Sequence, residues 1–286
     1  MTLTLHGRDT NLMKKKLVIT GGTGFMGSLL INSIHKKFEI IYVGRNDLKT
    51  SNGFIQFSIE NIPTRYLNGA ISVLHLATYY SKNSDATEKI DDGNINFGKK
   101  LLTKFDKNNI ELFLYTNTMF AFQESNKNHY YTKSKIHFSN ILYEILGENK
   151  ISEIFLDNTF HYSDKRKKAV PSIIEALNYN QDNPINNHDE YINLTYAPDV
   201  ISTLLSEVEK PSFSKSRVTS SIDIKLSSIY SFLSYAKKYK KIDKSLLTTI
   251  PASYLSRSQL PMVNSFYIES DVYSNLYNLI APDLQK

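Results

Sequence analysis

The chain of 286 residues contains no cysteine. This absence excludes disulfide bridges, metal sites built from thiolates and enzymes that use a cysteine nucleophile. Seven histidines are present, but they are scattered without the spacing of metal ligands, so we also predict no metal site. A cysteine-free chain is consistent with a reducing compartment, and we expect a cytoplasmic protein.

Long hydrophobic runs are missing as well. No stretch approaches the roughly 20 apolar residues that span a bilayer, so the sequence predicts no membrane segment. The first 13 residues lack the apolar core and the small-residue cleavage site of a secretory signal. We therefore expect the compact fold to begin near Met13.

Acidic residues are slightly outnumbered, since 34 Lys and Arg against 28 Asp and Glu give a net charge of +6. The basic residues cluster at 14–16, 165–168 and 237–241, as is typical of a solvated, lysine-rich surface. Neither zinc-finger spacing nor an arginine-rich helix accompanies them, so we predict no nucleic-acid partner.

Strand-like and helix-like runs alternate through the first half of the chain. Helical patterns occur at 26–37 and 135–146. This alternation predicts an α/β fold, a doubly wound parallel sheet covered by helices on both faces. Short apolar runs predict strands at 17–20, 39–44, 54–59, 72–77, 112–116 and 152–157.

Three glycines, Gly21, Gly24 and Gly27, mark the point where the first predicted strand gives way to a helix. Gly21 permits a tight turn, Gly24 removes a side chain where a pyrophosphate would approach, and Gly27 allows close helix packing. A helix amino terminus also presents unpaired N–H groups to phosphate. In this strand–loop–helix context the motif predicts a Rossmann-type dinucleotide-binding domain.

The alternating pattern weakens after residue 160, where charged loops and Asn/Pro-rich turns become common. We assign 14–160 to the dinucleotide-binding domain, with 190–215 returning to it. We assign 161–189 and 216–286 to a smaller carboxyl-terminal lobe that binds substrate at the carboxyl edge of the sheet.

The second predicted strand ends at Gly44, and Arg45 and Asn46 follow. An acidic residue at this strand end would bind the ribose 2′-hydroxyl and favour NAD. A guanidinium instead pairs well with a 2′-phosphate, so Arg45 predicts NADP(H). A surface role for Arg45 is the alternative.

Tyr131 and Lys135 lie four residues apart, a spacing that places both side chains on one face of a helix. A phenol has a pKa of about 10, and a neighbouring ammonium lowers it, which gives a usable acid–base group. Tyr130 creates a register ambiguity, although it has no lysine four residues later. Upstream, Thr118 ends a buried strand, where its hydroxyl can bond a substrate carbonyl or simply cap the strand.

Four features of the chain resemble the extended short-chain dehydrogenases/reductases. In chain order they are the Gly21–Gly27 motif, His75-Leu76-Ala77, Thr118 and Tyr131-x-x-x-Lys135. That family is rich in nucleotide-sugar epimerases, dehydratases and reductases. The stretches 75–82, 112–122 and 131–138 look most like its CDP-abequose/CDP-paratose synthase type. Those enzymes reduce the 4-keto group of a CDP-linked deoxy sugar for surface polysaccharide such as lipopolysaccharide O-antigen.

The resemblance implies a role for each site residue. Thr118 and Tyr131 would bond the keto oxygen, Tyr131 would supply the proton, and Lys135 would bind the nicotinamide ribose. Tyr80 and Asn158 would join Thr118 in binding the nucleotide-sugar substrate. The expected NADP(H)-binding residues are Gly21, Thr23, Gly24, Phe25, Met26, Gly27, Arg45, Asn46, Leu76, Ala77, Thr78 and Lys135.

The chain departs from the family pattern in places. The arginine that grips the substrate diphosphate in the family falls at Ile192 here, and either Arg217 or the basic run 165–168 is a candidate replacement. A dehydratase carries Asp-Glu after the hydroxyl residue, whereas Met119 and Phe120 follow Thr118. A nucleotide-sugar epimerase and a non-catalytic NADP-binding regulator remain alternatives to the reductase.

Apolar residues form a broad stripe on the predicted helix 135–146, wider than one sheet face would cover. In the family the equivalent helix pairs with its twin. We therefore expect a homodimer through this helix, with core packing as the alternative.

Overall fold

The computed structural model describes residues 14–31, 33–34, 38–50, 53–81, 86–185, 189–252, 264–268 and 270–280. The expected start of the fold at Met13 lies outside these ranges. Within them, every helix is too short or too polar to cross a membrane.

The described residues form thirteen strands and eight α-helices. The strands are β1 (Lys15–Thr20), β2 (Phe38–Gly44), β3 (Leu48–Lys49), β4 (Ile55–Ser58), β5 (Ile71–His75), β6 (Ile110–Thr118), β7 (Ile151–Leu156), β8 (Asn158–Phe160), β9 (Tyr191–Tyr196), β10 (Lys215–Ser220), β11 (Ile222–Lys225), β12 (Thr249–Pro251) and β13 (Asn264–Ile268). The helices are α1 (Phe25–Ile31), α2 (Thr87–Asp91), α3 (Phe97–Lys104), α4 (Tyr130–Leu146), α5 (Ala169–Asn178), α6 (Ala197–Glu209), α7 (Leu226–Tyr239) and α8 (Val272–Asn278).

Nine strands form one large sheet in the order β13-β10-β7-β6-β5-β1-β2-β4-β3. All neighbouring pairs are parallel except β3 with β4. The strand order runs outward from β1 in both directions, which is the doubly wound arrangement. The predicted α/β fold class is confirmed, and each of the six predicted strands is present within two residues of its expected ends.

Both faces of the large sheet are buried, which explains the uninterrupted apolar run Leu17-Val18-Ile19 in β1. Val18 packs on one face in a core shared with α3 and α4. Leu17 and Ile19 point to the other face, towards α1 and α6. A strand that is buried on both sides cannot alternate polar with apolar residues.

A second sheet, in the order β12-β11-β9-β8, packs with α5, α7 and α8 around a separate apolar core. Asp157 alone separates β7 of the large sheet from β8 of the small one. This short connection places Asn158 where the two sheets meet.

Two strands lie in a different sheet from the one that the predicted domain division implied. We assigned 216–286 to the smaller lobe, whereas β10 and β13 pair in the large sheet. The β10 sequence KSRVTS is mostly polar, so its hydrophobic pattern did not indicate a strand. The division into two domains otherwise stays a prediction.

The predicted helix 26–37 corresponds to α1, Phe25–Ile31, and Ser33 and Ile34 lie outside this helix. The other positions of the prediction, residues 32 and 35–37, lie outside the described residues. The amides of Ser33 and Ile34 both bond the Leu30 carbonyl, which closes the last turn. The Ser33 hydroxyl also bonds the Leu29 carbonyl, a local contact that competes with continued helix.

Gly27 gives a testable packing constraint. A Cβ there would lie 2.2 Å from the Gly21 oxygen and 2.6 Å from the Gly22 Cα, so Gly27→Ala must push the loop away from α1. We expect a loss of about 1–3 kcal/mol in the free energy of unfolding, measured by urea denaturation. Gly24→Ala is the matched control, since its nearest contact is 3.1 Å away, and equal losses in both variants would contradict this account.

Candidate active site

A cavity of about 1280 Å³ opens at the carboxyl ends of β1, β2, β5, β6 and β7. The catalytic, cofactor-binding and substrate-binding residues that the family resemblance implied all lie in its wall, and their individual roles stay predictions. They are Gly21, Thr23, Gly24, Phe25, Met26, Gly27, Arg45, Asn46, Leu76, Ala77, Thr78, Tyr80, Thr118, Tyr131, Lys135 and Asn158.

The glycine loop keeps backbone exposed to the cavity. Gly21 has a φ of +72°, and a Cβ there would lie 2.7 Å from the Ala77 nitrogen, so only glycine fits this turn. A Cβ on Gly24 would contact only the Gly21 oxygen, at 3.1 Å. Gly27 packs α1 against the loop itself, instead of against the strand as expected. A cradle without side chains at this position fits a dinucleotide pyrophosphate.

Polar groups gather where β2 ends. Arg45 is exposed on the cavity wall, and a Cβ on Gly44 would lie 2.2 Å from the Gln56 amide nitrogen. That nitrogen donates to the Asn46 carbonyl at 3.0 Å. The Asp47 carboxylate also lines the cavity and accepts from the Ser58 amide at 2.8 Å. Asp47 and Gln56 were not among the predicted site residues.

Tyr131 lies in the first turn of α4, with the Tyr80 ring edge-on at 4.9 Å between centroids. Burial raises the pKa of Tyr131 to about 12, while a hydrogen bond with Thr78 and the positive charge of Arg166 act in the opposite direction. The spacing of Tyr131 and Lys135 predicted a pKa lowered by the ammonium. That expectation is wrong for this structure, because desolvation by burial is the largest influence on the pKa of the phenol.

Lys135 is almost fully buried, with 2% of its surface exposed. Its amine lies 4.3 Å from the centroid of the Tyr115 ring, an arrangement that stabilises a cation. Burial lowers the pKa of Lys135 to about 7, and the negative charge of Glu153 opposes that shift. The charge of this lysine is therefore variable near neutral pH.

Thr118 ends β6 with its side chain buried and its hydroxyl accepting from the Phe120 amide at 3.2 Å. Met119, which follows it, is 4% exposed and apolar. The structure thus places a hydroxyl, and no carboxylate pair, at this point of the cavity wall.

The register ambiguity at the start of α4 is resolved by contacts on opposite sides of the helix. Tyr130 is 41% exposed, and its hydroxyl donates to Asp91 of α2 at 2.7 Å. Tyr131 lines the cavity. Tyr131 is therefore the tyrosine that faces the site.

Asn94 is a positioning residue that the sequence did not reveal. It lies 1% exposed in a π-helical turn, Asp92–Asn96, a rare geometry that is frequent at functional sites. Its oxygen accepts from the Thr78 hydroxyl at 3.1 Å and the Tyr79 amide at 2.6 Å, and its nitrogen donates to Ser134 of α4 at 2.9 Å. Asn94 thereby fixes the loop after β5 against the helix that carries Tyr131 and Lys135.

Three basic residues from the segment after β8, Arg166, Lys167 and Lys168, line the cavity wall. Arg166 stacks on the Phe25 ring at 4.0 Å, and Lys168 lies 3.5 Å from the centroid of the Tyr80 ring. Arg217, the other candidate for the missing arginine, is instead buried in an ion pair with Asp157 at 2.8 Å. The basic run 165–168 is thus the candidate that brings positive charge to the cavity.

The role of Asn94 can be tested by removing its side chain. In Asn94→Ala the buried partners on Tyr79 and Ser134 lose their bonds, and each unpaired group costs about 1–3 kcal/mol. We expect the free energy of unfolding in urea to fall by about 3 kcal/mol. Asn96→Ala, in the same turn but exposed, should change it by less than about 0.5 kcal/mol. Equal effects of the two variants would contradict the role of Asn94.

Comparison with known proteins identifies the family. The model of the NAD dependent epimerase/dehydratase family matches residues 17–219. CDP-abequose synthase from Salmonella typhimurium is 24% identical over 242 residues, covering 77% of this chain and 80% of that protein.

Two solved structures show the same fold. UDP-glucuronic acid 4-epimerase from Bacillus cereus, in complex with NAD, has a TM-score of 0.68 and 14% identity over 95% of this chain and 100% of that one. RMD from Pseudomonas aeruginosa, complexed with NADPH, has a TM-score of 0.65 and 15% identity over 93% of this chain and 99% of that one. These likenesses confirm the Rossmann-type fold. The matched family model covers well over half of the sequence, and the protein belongs to the NAD dependent epimerase/dehydratase family, as its resemblance to the extended short-chain dehydrogenases/reductases predicted.

Proposed function

We propose that the protein reduces the 4-keto group of a nucleotide-linked deoxy sugar with NADPH, in the synthesis of surface polysaccharide. The observation that carries the proposal is a single cavity that brings Thr118, Tyr131 and Lys135 together with the glycine cradle. The similarity to CDP-abequose synthase supports a CDP-linked sugar as the substrate.

The bare backbone at Gly21 and Gly24 would hold the pyrophosphate, and Arg45 would pair with the 2′-phosphate. The nicotinamide supplies a hydride when the cofactor is bound. Lys135 would hold its ribose, at the side of the cavity where Tyr115 supports the amine.

The protonation state of Tyr131 supports reduction. With a pKa raised to about 12, the phenol carries its proton throughout the physiological range. It can therefore donate that proton to the carbonyl oxygen as hydride reaches the carbon, while Thr118 donates a hydrogen bond to the same oxygen. An epimerase must first remove a proton from a sugar hydroxyl, and for that step the phenol would have to be deprotonated beforehand.

Positive charge on the substrate side of the cavity supports a substrate that carries a nucleotide diphosphate. Ile192 stands where the family places its arginine, and Arg166, Lys168 and Asn158 lie in the same wall. Two carboxylate contacts with Asp164, each 2.8 Å long, and a bond to the Thr159 carbonyl hold Arg166 in place. A guanidinium fixed in this way is suited to a phosphate oxygen.

We also propose a homodimer through α4. Phe138 and Leu142 of this helix are buried in the core, but Ile145 remains 38% exposed. The part of the apolar stripe that the sheet leaves uncovered is the surface that a second copy of the helix would bury.

The proposed activity is tested by following NADPH oxidation at 340 nm with a panel of nucleotide-linked 4-keto-6-deoxy sugars. We expect turnover with at least one member, and the CDP-linked sugar to give the highest kcat/KM. UDP-, GDP- and dTDP-linked sugars serve as matched controls for the base. Absence of oxidation with every 4-keto sugar, while the parent 4-hydroxy sugar is epimerised, would favour the epimerase instead.

The assignment of Tyr131 predicts a loss of chemistry without a loss of binding. Tyr131→Phe removes the donated proton and keeps the ring that packs on Tyr80. We expect kcat to fall by roughly 10²–10⁴, with little change in the affinity for NADPH measured by its fluorescence. Tyr130→Phe is the control and should retain turnover, since Tyr130 bonds Asp91 instead. Wild-type turnover in Tyr131→Phe would remove the assignment.

The assignment of Arg45 predicts a cofactor preference. In Arg45→Ala the KM for NADPH should rise about tenfold or more, because a charge-assisted bond to the phosphate is lost, while the KM for NADH stays nearly constant. Lys49→Ala is the control, since Lys49 is exposed in β3 nearby. A wild-type preference for NADH would refute the assignment.

A further inference from the structure

The carboxylate of Glu153 takes no part in the proposed reaction, yet it lies directly behind the site. Glu153 is in the middle of β7 with 1% of its surface exposed, and it pairs in register with Tyr115 of β6. A buried carboxylate is costly unless hydrogen bonds and a positive charge compensate for lost water. The groups that face it therefore indicate what it does.

Hydrogen bonds fix the orientation of this carboxylate. Its Oε1 accepts from Asn117 Nδ2 at 2.5 Å and from the Ser139 hydroxyl of α4 at 2.7 Å. Its Oε2 lies 3.6 Å from the amine of Lys215 on β10, whose side chain is half exposed. The Tyr143 hydroxyl of α4 also faces Glu153, and its pKa is raised by burial and by the negative charge.

Glu153 is connected to Lys135 by two residues. Ser139, which bonds Glu153, lies one helical turn after Lys135 on α4. Tyr115, the strand partner of Glu153, holds the Lys135 amine over its ring at 4.3 Å and donates its hydroxyl to the Lys135 carbonyl at 3.1 Å. His75 of β5 also faces the lysine, but burial lowers the pKa of His75 to about 3, so this side chain is neutral.

We propose that Glu153 is a positioning residue that keeps the Lys135 amine in its charged form for catalysis. The role of that charge rests on the proposed function, because the ammonium would hold the cofactor ribose beside Tyr131. Without the negative charge of Glu153, only the Tyr115 ring would oppose burial, which favours the neutral form of the amine. Lys215 competes for the same carboxylate from the solvent side.

The direct test is the titration of the Lys135 amine in protein labelled with ¹⁵N-lysine, followed by NMR and assigned with Lys135→Arg. In the wild type the amine should half-titrate near pH 7. In Glu153→Gln the midpoint should move to lower pH. Glu207→Gln is the matched control, since Glu207 is another buried carboxylate that accepts hydrogen bonds from Ser152 and Ser212, and it should leave the midpoint in place.

The second readout is the pH dependence of kcat for 4-keto sugar reduction. Because the charged amine is the active form, kcat falls as pH rises through the titration midpoint of Lys135. Glu153→Gln should move this fall in kcat to lower pH. Removing an opposite charge near a buried group shifts such midpoints by about one unit or more, so kcat at pH 8 should fall on the order of tenfold. In Glu207→Gln the fall in kcat should occur at the wild-type pH.

Lys215→Met keeps the inference testable if Glu153→Gln does not fold. This variant removes the competing cation from a half-exposed site, so the Lys135 midpoint should move to higher pH. An unchanged midpoint in folded Glu153→Gln, an equal shift in Glu207→Gln, or a downward shift in Lys215→Met would overturn the inference. Absence of turnover with every sugar would instead refute the proposed function, because the NMR titration does not depend on activity.

Discussion

The burial of one lysine amine away from water is the constraint on which the rest of the site depends. Lys135 is held in the protein interior, where its charged form has lost most of its hydration. The Tyr115 ring beneath it and the Glu153 carboxylate behind it compensate for part of that loss. Consequently the protein, and not the solvent, sets the charge of this group, and small changes in the surrounding strands will change the chemistry of the cavity.

The parallel sheet makes this arrangement possible. β6 supplies Tyr115 against the lysine and Thr118 at its carboxyl end, so the support and a hydroxyl in the cavity wall share one strand. β7 carries Glu153 beside Tyr115 and then leads through Asp157 to Asn158. Because neighbouring parallel strands end at one edge, residues far apart in sequence meet there without long loops. Asn94 then fixes the loop after β5 to α4.

The parts of the site that depend on local sequence could be predicted. The glycine loop depends on the backbone geometry of the seven residues 21–27, and the pairing of Tyr131 with Lys135 depends on one helical turn. Asn94 and Glu153 could not be found in this way, because their hydrogen-bond partners lie 15–40 and 14–36 residues away and only folding brings them together. Arg166 was indicated only as one member of the basic run 165–168. The rare π-helical turn around Asn94 has no periodicity that a sequence pattern would show.

The wrong prediction for the pKa of Tyr131 has the same physical origin. Spacing along a helix gives the distance between two side chains but not the burial of either one. In the folded protein both groups are desolvated, so each loses part of its tendency to ionise: the pKa of Tyr131 rises to about 12, and that of Lys135 falls to about 7. The prediction considered only the attraction between the charges.

This desolvation has a consequence for the direction of the proposed reaction. Deprotonating a phenol with a pKa of about 12 at pH 7 costs roughly 7 kcal/mol, which would be added to the barrier of any reaction that begins with Tyr131 as a base. Donation starts from the protonated form, which is the populated one, although the same raised pKa makes the phenol a weaker acid. A positive charge close to the phenol reduces this cost, and Arg166 acts on Tyr131 in this sense. If Glu153 keeps Lys135 charged, as proposed, the same cavity holds a second cation when the phenolate forms, and positive charge in a buried site stabilises a developing anion.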